Sequence, residues 1–323
     1  MRPPHDTPEA GGGEPPEPQG LQVGFPLARL ATVRTGGPAE YFLRAGSADQ
    51  LVEALAWAAA RELPVTVLGS GSNVLIADDG VPGLVLKPDR TLAAVAVEGT
   101  TMTCGAAARL PAVAARAARE GLAGIEFGVN IPGTVGGAVR MNAGAYGGEL
   151  AQVLHSVLVA TASGIADRPA AELGLAYRRS NLGAGEIVAE ARFELTRAEP
   201  AVLRERLEQL RRARHEAQPR AIQTFGSTFK NPPSTADGGP SAGQLLSEAG
   251  CNGLQIGGAR FAPKHANFVE NRGTATTADV VELMAEGRRR VLERFGVALE
   301  PEVQVLGSVR FPWQGQGPAA RNR

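Results

Sequence analysis

Runs of β-branched residues broken by short glycine clusters dominate this chain, and the clusters constrain its fold most. Glycine reaches backbone conformations closed to other residues and lets a main chain approach a ligand closely. The chain has 41 glycines in 323 residues, well above the roughly 7% of an average protein. Two clusters stand out. Leu68-Gly69-Ser70-Gly71-Ser72-Asn73-Val74-Leu75 sets five small residues between two strand-like runs. Ile131-Pro132-Gly133-Thr134-Val135-Gly136-Gly137-Ala138 joins a proline of fixed φ to several glycines, then continues into Met141-Asn142-Ala143-Gly144-Ala145-Tyr146-Gly147. The second segment is expected to be irregular, too glycine-rich for helix or strand.

Small residues let backbone N–H groups converge on an anion, and Ser70, Ser72 and Asn73 add donors able to close around a diphosphate. An ordinary tight connection between strands explains the first cluster as well. Neither standard nucleotide signature is present. GSGSNV lacks the third glycine and following helix of a dinucleotide-binding turn, and no GK[ST] completes a phosphate loop. A nucleotide held here must sit on another fold. Because the clusters fall in adjacent α+β units, a ligand shared between them is expected.

Periodicity divides the chain. Apolar positions Leu51, Leu55, Ala58 and Ala59 predict a helix over 47–63, capped by Ser47 and stopped by Pro64. A second helix is expected over 110–121, closed by Gly121. Half-buried strands follow around HSVLVATASG and GEIVAEARFEL. Leu203, Leu207, Leu210, Ala213 and Ala217 make an amphipathic helix over 200–217, read as the opening of a third unit. That unit continues through AGQLLSEAG, a helix over 278–295 and a last strand, EVQVLGSV. The expected organisation is a disordered tail over 1–20, units over 21–100, 101–198 and 199–310, and a disordered tail over 311–323.

Lys+Arg and Asp+Glu each total 33, so no net field draws the molecule to nucleic acid or to a membrane surface. An anionic ligand must be held locally. Cys104 and Cys251 make neither a disulfide framework nor a metal cluster, which predicts a reducing, cytoplasmic setting and no resident metal. No run reaches the roughly 20 apolar residues of a membrane span. Lysine is scarce: only Lys87, Lys230 and Lys264 occur, and two of these lie in FKNP and PKHANF. In Thr224-Phe225-Gly226-Ser227-Thr228-Phe229-Lys230-Asn231-Pro232, a hydroxyl and an ammonium suit acid–base work and phosphate binding, although a surface turn would read the same. Tyr177 reads most simply as core packing at a strand end. Arg178 offers a guanidinium fork for a carboxylate, and Glu302 enters the last strand.

With these segments in order, residues 24–310 resemble the flavoenzyme family of UDP-N-acetylenolpyruvoylglucosamine reductases. The resemblance is carried by VRTGGPAEYF, LGSGSNVL, IPGTVGGAVRMNAGAYG, YRRS, GSTFKNP, AGQLLSEAG, KHANF and LEPEV. It implies an α+β protein, with a two-subdomain FAD-binding fold of the vanillyl-alcohol oxidase-like type and a C-terminal α+β substrate-binding domain. Bound FAD would be held by Gly69, Ser70, Gly71, Ser72 and Asn73 and by Ile131, Pro132, Gly133, Thr134, Gly136 and Gly137, with Arg34 and Gly36 in a supporting motif. NADPH and UDP-N-acetylglucosamine enolpyruvate are the implied partners. Ser227 is the implied proton donor, with Arg178 and Glu302 stabilising an enolate-like intermediate. Tyr177, Arg214, Lys230, Asn231 and His265 are implied substrate contacts.

Three places depart from the family pattern. Asn130 precedes IPG, where its tolerance of left-handed backbone would preserve the loop. Phe225 before GS and Phe-Ala-Pro before KHANF are expected to reshape the substrate side. Two competing readings stay open: an FAD enzyme of the same fold acting on another alcohol, and a nucleotide-sugar sensor without turnover. The oligomeric state is not legible, and a monomer is expected.

Overall fold

The computed structural model describes residues 14–219 and 222–314. Most of the two expected tails, 1–13 and 315–323, lies outside the described residues. The parts of those segments that are described pack on the fold. Pro18 is buried and Glu14 pairs with Arg61 at 3.0 Å. Phe311 is buried, stacks on Trp313 at 4.8 Å, and Arg288 lies over the Trp313 ring.

The first unit is a four-stranded sheet flanked by helix α1 (Ala48–Ala60). Its strands are β1 (Gln22–Pro26), β2 (Pro38–Ala45), β3 (Val65–Val67) and β5 (Val81–Pro88), in the order β1-β2-β5-β3, with β4 (Val74–Ile76) set apart. Strands β2, β5 and β3 are parallel. Ser47 caps α1 by accepting the Gln50 N–H. Leu51, Leu55 and Ala58 are buried as expected, whereas Ala59 is exposed and Trp57 is buried. Helix α1 packs on Leu43, Leu84 and Leu86 of its own sheet and on Ala160, Ile187 and Ala189 of the next. It is the filling between two sheets.

The second unit is a five-stranded antiparallel sheet of β6 (Val95–Glu98), β7 (Thr101–Gly105) and strands Leu154–Thr161, Gly164–Pro169 and Ile187–Glu194. Helix α2 (Leu110–Arg119) covers it. The glycine-rich segment expected to be irregular contains a short helix, α3 (Val135–Arg140). Two helical glycines cost about 1 kcal/mol each against alanine, but tertiary contacts offset this. The first-turn N–H groups of Val135 and Gly136 donate to the Ala108 and Ala106 carbonyls, each at 2.9 Å. A Cβ on Gly136 would stand 3.1 Å from that of Ala106, a tight contact that glycine relieves where the helix docks.

Helix α4 (Pro200–Ala217) forms as expected, but it packs elsewhere than expected. Its Leu203, Leu207 and Leu210 join the core of the second unit, beside Leu110, Val113 and Phe127. An apolar stripe shows that a helix has a partner and cannot show which one.

The third unit contains helices α5 (Ala242–Glu248) and α6 (Thr277–Phe295) and a three-stranded sheet of Gln255–Ile256, Ala259–Ala262 and His265–Asn271. It has no separate core. Phe225, Phe229, Phe261 and Leu283 share one cluster with Phe42, Leu75 and Val85 of the first unit. Phe225 and Phe261 are fully enclosed there, so both rings serve packing, whereas Pro263 is exposed. The last strand, Gln304–Leu306, pairs in parallel with β4. No helix among the described residues is long and apolar enough to cross a membrane.

Asp78 ties the first and third units by accepting the Thr277 and Ala278 N–H groups at 2.9 and 3.0 Å, two free donors at the start of α6. Asp78→Ala is expected to lower the unfolding free energy by about 1 kcal/mol in urea titration. An unchanged midpoint would show that water replaces the carboxylate without cost.

Candidate active site

The Gly69–Asn73 loop leaves β3 at the carboxyl edge of the parallel strands. Gly71 has φ +69°, and a Cβ there would run into the Leu30 carbonyl. Thr32 fastens the same peptide, its N–H and hydroxyl donating to the Gly71 carbonyl at 2.9 and 3.0 Å. Among the described residues, no N–H from Gly69 to Asn73 donates to a backbone carbonyl. The Ser70 and Ser72 hydroxyls are 2.9 Å apart. A loop of fixed shape with free N–H donors and two hydroxyls suits a diphosphate. The structure thus fits the FAD expected from the resemblance.

The second cluster meets the first. The Ser70 hydroxyl donates to the Pro132 carbonyl at 3.0 Å, and a Cβ on Gly69 would stand 2.7 Å from Thr134 Oγ1. Ile131, Pro132 and Gly133 turn the chain into α3, with Thr134 at its N-cap position without a side-chain cap bond, and Gly136 and Gly137 form its first turn. Gly36 belongs to a supporting segment: a Cβ there would clash with Ile76. Arg34, at φ +64°, donates to the Arg29 carbonyl at 2.6 Å.

Asn130 does not have left-handed backbone. Its side chain donates to the Leu210 carbonyl at 2.8 Å, and the Arg214 guanidinium donates to the Asn130 carbonyl. Helix α4 is thereby pinned to the residue that precedes Ile131. Burial holds the Arg214 pKa below its ordinary value, with Tyr146 acting in the opposite direction.

The three residues expected to do chemistry come together from two units. Ala176 and Arg179 exchange backbone hydrogen bonds at 3.0 Å, making a tight turn with Tyr177 and Arg178 at its tip. Arg178 has φ +56°, a conformation that costs a non-glycine residue about 1 kcal/mol or more. Such strain persists where surrounding contacts enforce it. Here the guanidinium lies 4.7 Å from the Tyr177 ring centroid, and its Nε donates to Glu302 Oε1 at 2.6 Å. The two side chains are 19% and 13% exposed. Tyr177 itself is 49% exposed, which removes the core-packing reading.

Ser227 follows Gly226, whose φ is +84°, and bridges to Phe268. Thr228 donates its N–H to the Asn267 carbonyl at 2.8 Å and accepts the Glu302 N–H at 2.9 Å. The serine and glutamate segments therefore lie side by side. Beyond Glu302, Gln304 donates to the Asn73 carbonyl at 3.0 Å, linking the carboxylate's strand to the first glycine loop.

Lys230 lies 3.5 Å from Glu300 Oε2, and Asn231 accepts the Ala242 N–H at the start of α5. His265 packs against the same helix turn, where a Cβ on Gly243 would stand 2.6 Å from its ring. Burial pushes the His265 pKa down. Lys230, Asn231 and His265 thus surround one end of α5, whereas Arg214 braces the second glycine cluster.

Sequence reasoning missed Asn267. Its side chain accepts the Phe229 N–H at 2.8 Å and donates to the Phe229 carbonyl at 2.9 Å, clamping the segment that carries Ser227. The KHANF motif contained it, but nothing local distinguishes a buried clamp from an exposed amide.

Comparison with known proteins agrees across the chain. Residues 39–166 match the FAD binding domain family, and residues 218–306 match the UDP-N-acetylenolpyruvoylglucosamine reductase C-terminal domain. A protein named UDP-N-acetylenolpyruvoylglucosamine reductase 2 from Symbiobacterium thermophilum is 42% identical over 299 residues, 92% of this chain and 95% of the relative. The reductase of the same name from Novosphingobium aromaticivorans is 45% identical over 87% of this chain and 94% of its own length. The crystal structure of the Thermus caldophilus reductase superposes with a TM-score of 0.75 at 36% identity, over 88% of this chain and 98% of that one.

Gly71→Ala is expected to lower flavin retention at least about tenfold, because the added Cβ both strains the backbone and displaces the loop. Absorbance of the purified variant at the flavin band checks this, and a wild-type flavin-to-protein ratio would show that the loop tolerates displacement.

Proposed function

The chain belongs to the family of UDP-N-acetylenolpyruvoylglucosamine reductases, and from that membership we propose how its own residues perform the family's reaction. The protein reduces UDP-N-acetylglucosamine enolpyruvate to UDP-N-acetylmuramate at the expense of NADPH, a step in peptidoglycan precursor synthesis. FAD, which the 69–73 loop and the 131–137 segment would hold, would supply hydride chemistry at the expense of NADPH.

Arg178 takes the substrate carboxylate. Hydride addition at the enolpyruvyl methylene places negative charge on the adjacent carbon and its carboxylate, and a bidentate guanidinium stabilises charge of that shape. The observation that carries this reading is the Arg178–Glu302 contact at 2.6 Å beside the serine strand. An unpaired glutamate would oppose a developing enolate. Paired with Arg178 through Nε, Glu302 has its negative charge offset by the guanidinium, which it holds at the site.

Ser227 then gives its proton to the carbon next to the carboxylate, completing the D-lactyl ether, and recovers a proton from solvent. A hydroxyl is a weak acid, so placement must drive the transfer. The clamps at Asn267 and Thr228 supply that placement. Lys230 and Asn231 take the substrate diphosphate, while Tyr177 and His265 line its approach. Arg214 acts through the flavin loop that it braces. Both cysteines are free and buried, which supports a cytoplasmic location.

In anaerobic stopped-flow, Ser227→Ala is expected to leave NADPH bleaching of the flavin near the wild-type rate and to slow reoxidation by substrate about 100-fold or more. Equal slowing of both half-reactions would exclude Ser227 as the proton donor. Arg178→Lys is expected to lose most of the reoxidation rate, because an ammonium cannot reproduce the guanidinium fork. Wild-type reoxidation would remove Arg178 from the chemistry.

A further inference from the structure

One of the three lysines lies outside every motif used so far. Lys87 ends the central parallel strand β5, and its ammonium donates to the carbonyl of Gly69, the residue that opens the flavin loop. Arg44 stands beside it in register on β2. The two share the sheet face of Phe42 and Val85, opposite the face covered by α1. From the second unit, the backbone of Arg109 bridges Thr134 of the other glycine cluster, close enough for its charge to act on Lys87. A chain of zero net charge therefore gathers three cations at the carboxyl edge of its parallel sheet, where open α/β sheets bind their ligands.

We propose that Lys87 is a positioning residue for the flavin cofactor: its protonated side chain holds the Gly69 peptide, and with it the 69–73 loop, in the shape that receives the FAD diphosphate, so cofactor retention follows the Lys87 proton. This rests on the reading that the 69–73 loop holds that diphosphate.

The electrostatics set the direction. Burial first, then Arg44 and Arg109, push the Lys87 pKa down to about 8, with Asp89 acting weakly in the opposite direction. An arriving diphosphate favours the ammonium and raises that pKa again. Binding and protonation are thus linked. Below pH 8 the ammonium is present with or without cofactor, and affinity does not depend on its titration. Above pH 8 binding must take up a proton, and affinity falls until the pKa of the bound form is passed. A neutral amine grips the carbonyl more weakly and gives the diphosphate no countercharge.

The test is release of FAD on dilution of the holoenzyme, read by flavin fluorescence from pH 6.5 to 9.5 in wild type, Lys87→Arg and Lys87→Met. The expected wild-type dissociation constant rises about tenfold or more between pH 7.5 and 9.5. Lys87→Arg keeps its charge across this range and is expected to show a flat profile with near-wild-type retention at pH 7. Lys87→Met is expected to release FAD readily at every pH. Ionisation of the flavin itself is common to all three proteins and cancels in the comparison. Parallel slopes in wild type and Lys87→Arg would overturn the proposal, as would a flat wild-type profile whatever the variants do. Failure of wild type to hold FAD at pH 7 would overturn the loop assignment itself, and the Lys87 proposal with it.

Discussion

The 301–306 segment, in which Glu302 precedes the last strand, is hydrogen-bonded through Glu302 to the segment of Ser227 and through that strand to β4, which follows the flavin loop. Everything at the site depends on that placement. The main chain of Glu302 cannot shift without moving both neighbours, and Arg178 reaches across from the second unit to meet its carboxylate. The left-handed backbone of Arg178 is tolerable because its side chain is held against the Tyr177 ring and by Glu302 at its edge. An arrangement held by the main chain needs little reorganisation when charge develops on a substrate, the condition under which fixed dipoles and charges act most strongly.

The same economy appears in the electrostatics. The chain is neutral overall, so binding of anionic cofactor and substrate relies on a few cations placed locally. Arg44, Lys87 and Arg109 gather near the first glycine cluster, and Lys230 lies at the far end of the site beside α5. Arg214 is turned to a structural use, gripping the Asn130 carbonyl. Asn130 and Arg214 together make α4 a support for the flavin loop, which explains why that helix belongs with the second unit although it leads into the third.

Legibility followed the range of the interactions. Helix α1 and its Ser47 cap were readable because cap, stripe and stop lie within one short stretch. The glycine loop 68–75 was readable as a tight connection between strands, and its residues alone left the anion cradle and the plain turn both open. The α3 helix was not, since two glycines argue against a helix and the opposing contacts come from Ala106 and Ala108, distant in sequence. Asn130 was assigned a backbone role from its residue type, whereas the fold uses its side chain. Phe225 and Phe261 each stand next to a motif, and nothing local shows that both rings are buried in the shared core.

The sequence by itself determined the ordered series of motifs, the family to which they belong and the residue types available for chemistry. Those are properties of local spacing and side-chain identity. Only the tertiary structure decided that Arg178 meets Glu302, that Asn267 clamps the Ser227 segment, and that Lys87 holds Gly69. The Arg178–Glu302 contact joins residues 124 apart and Asn267 bonds Phe229 38 residues away. Pairings of that kind depend on how sheets, helices and turns pack, and single-chain periodicity carries no record of which face finds which partner.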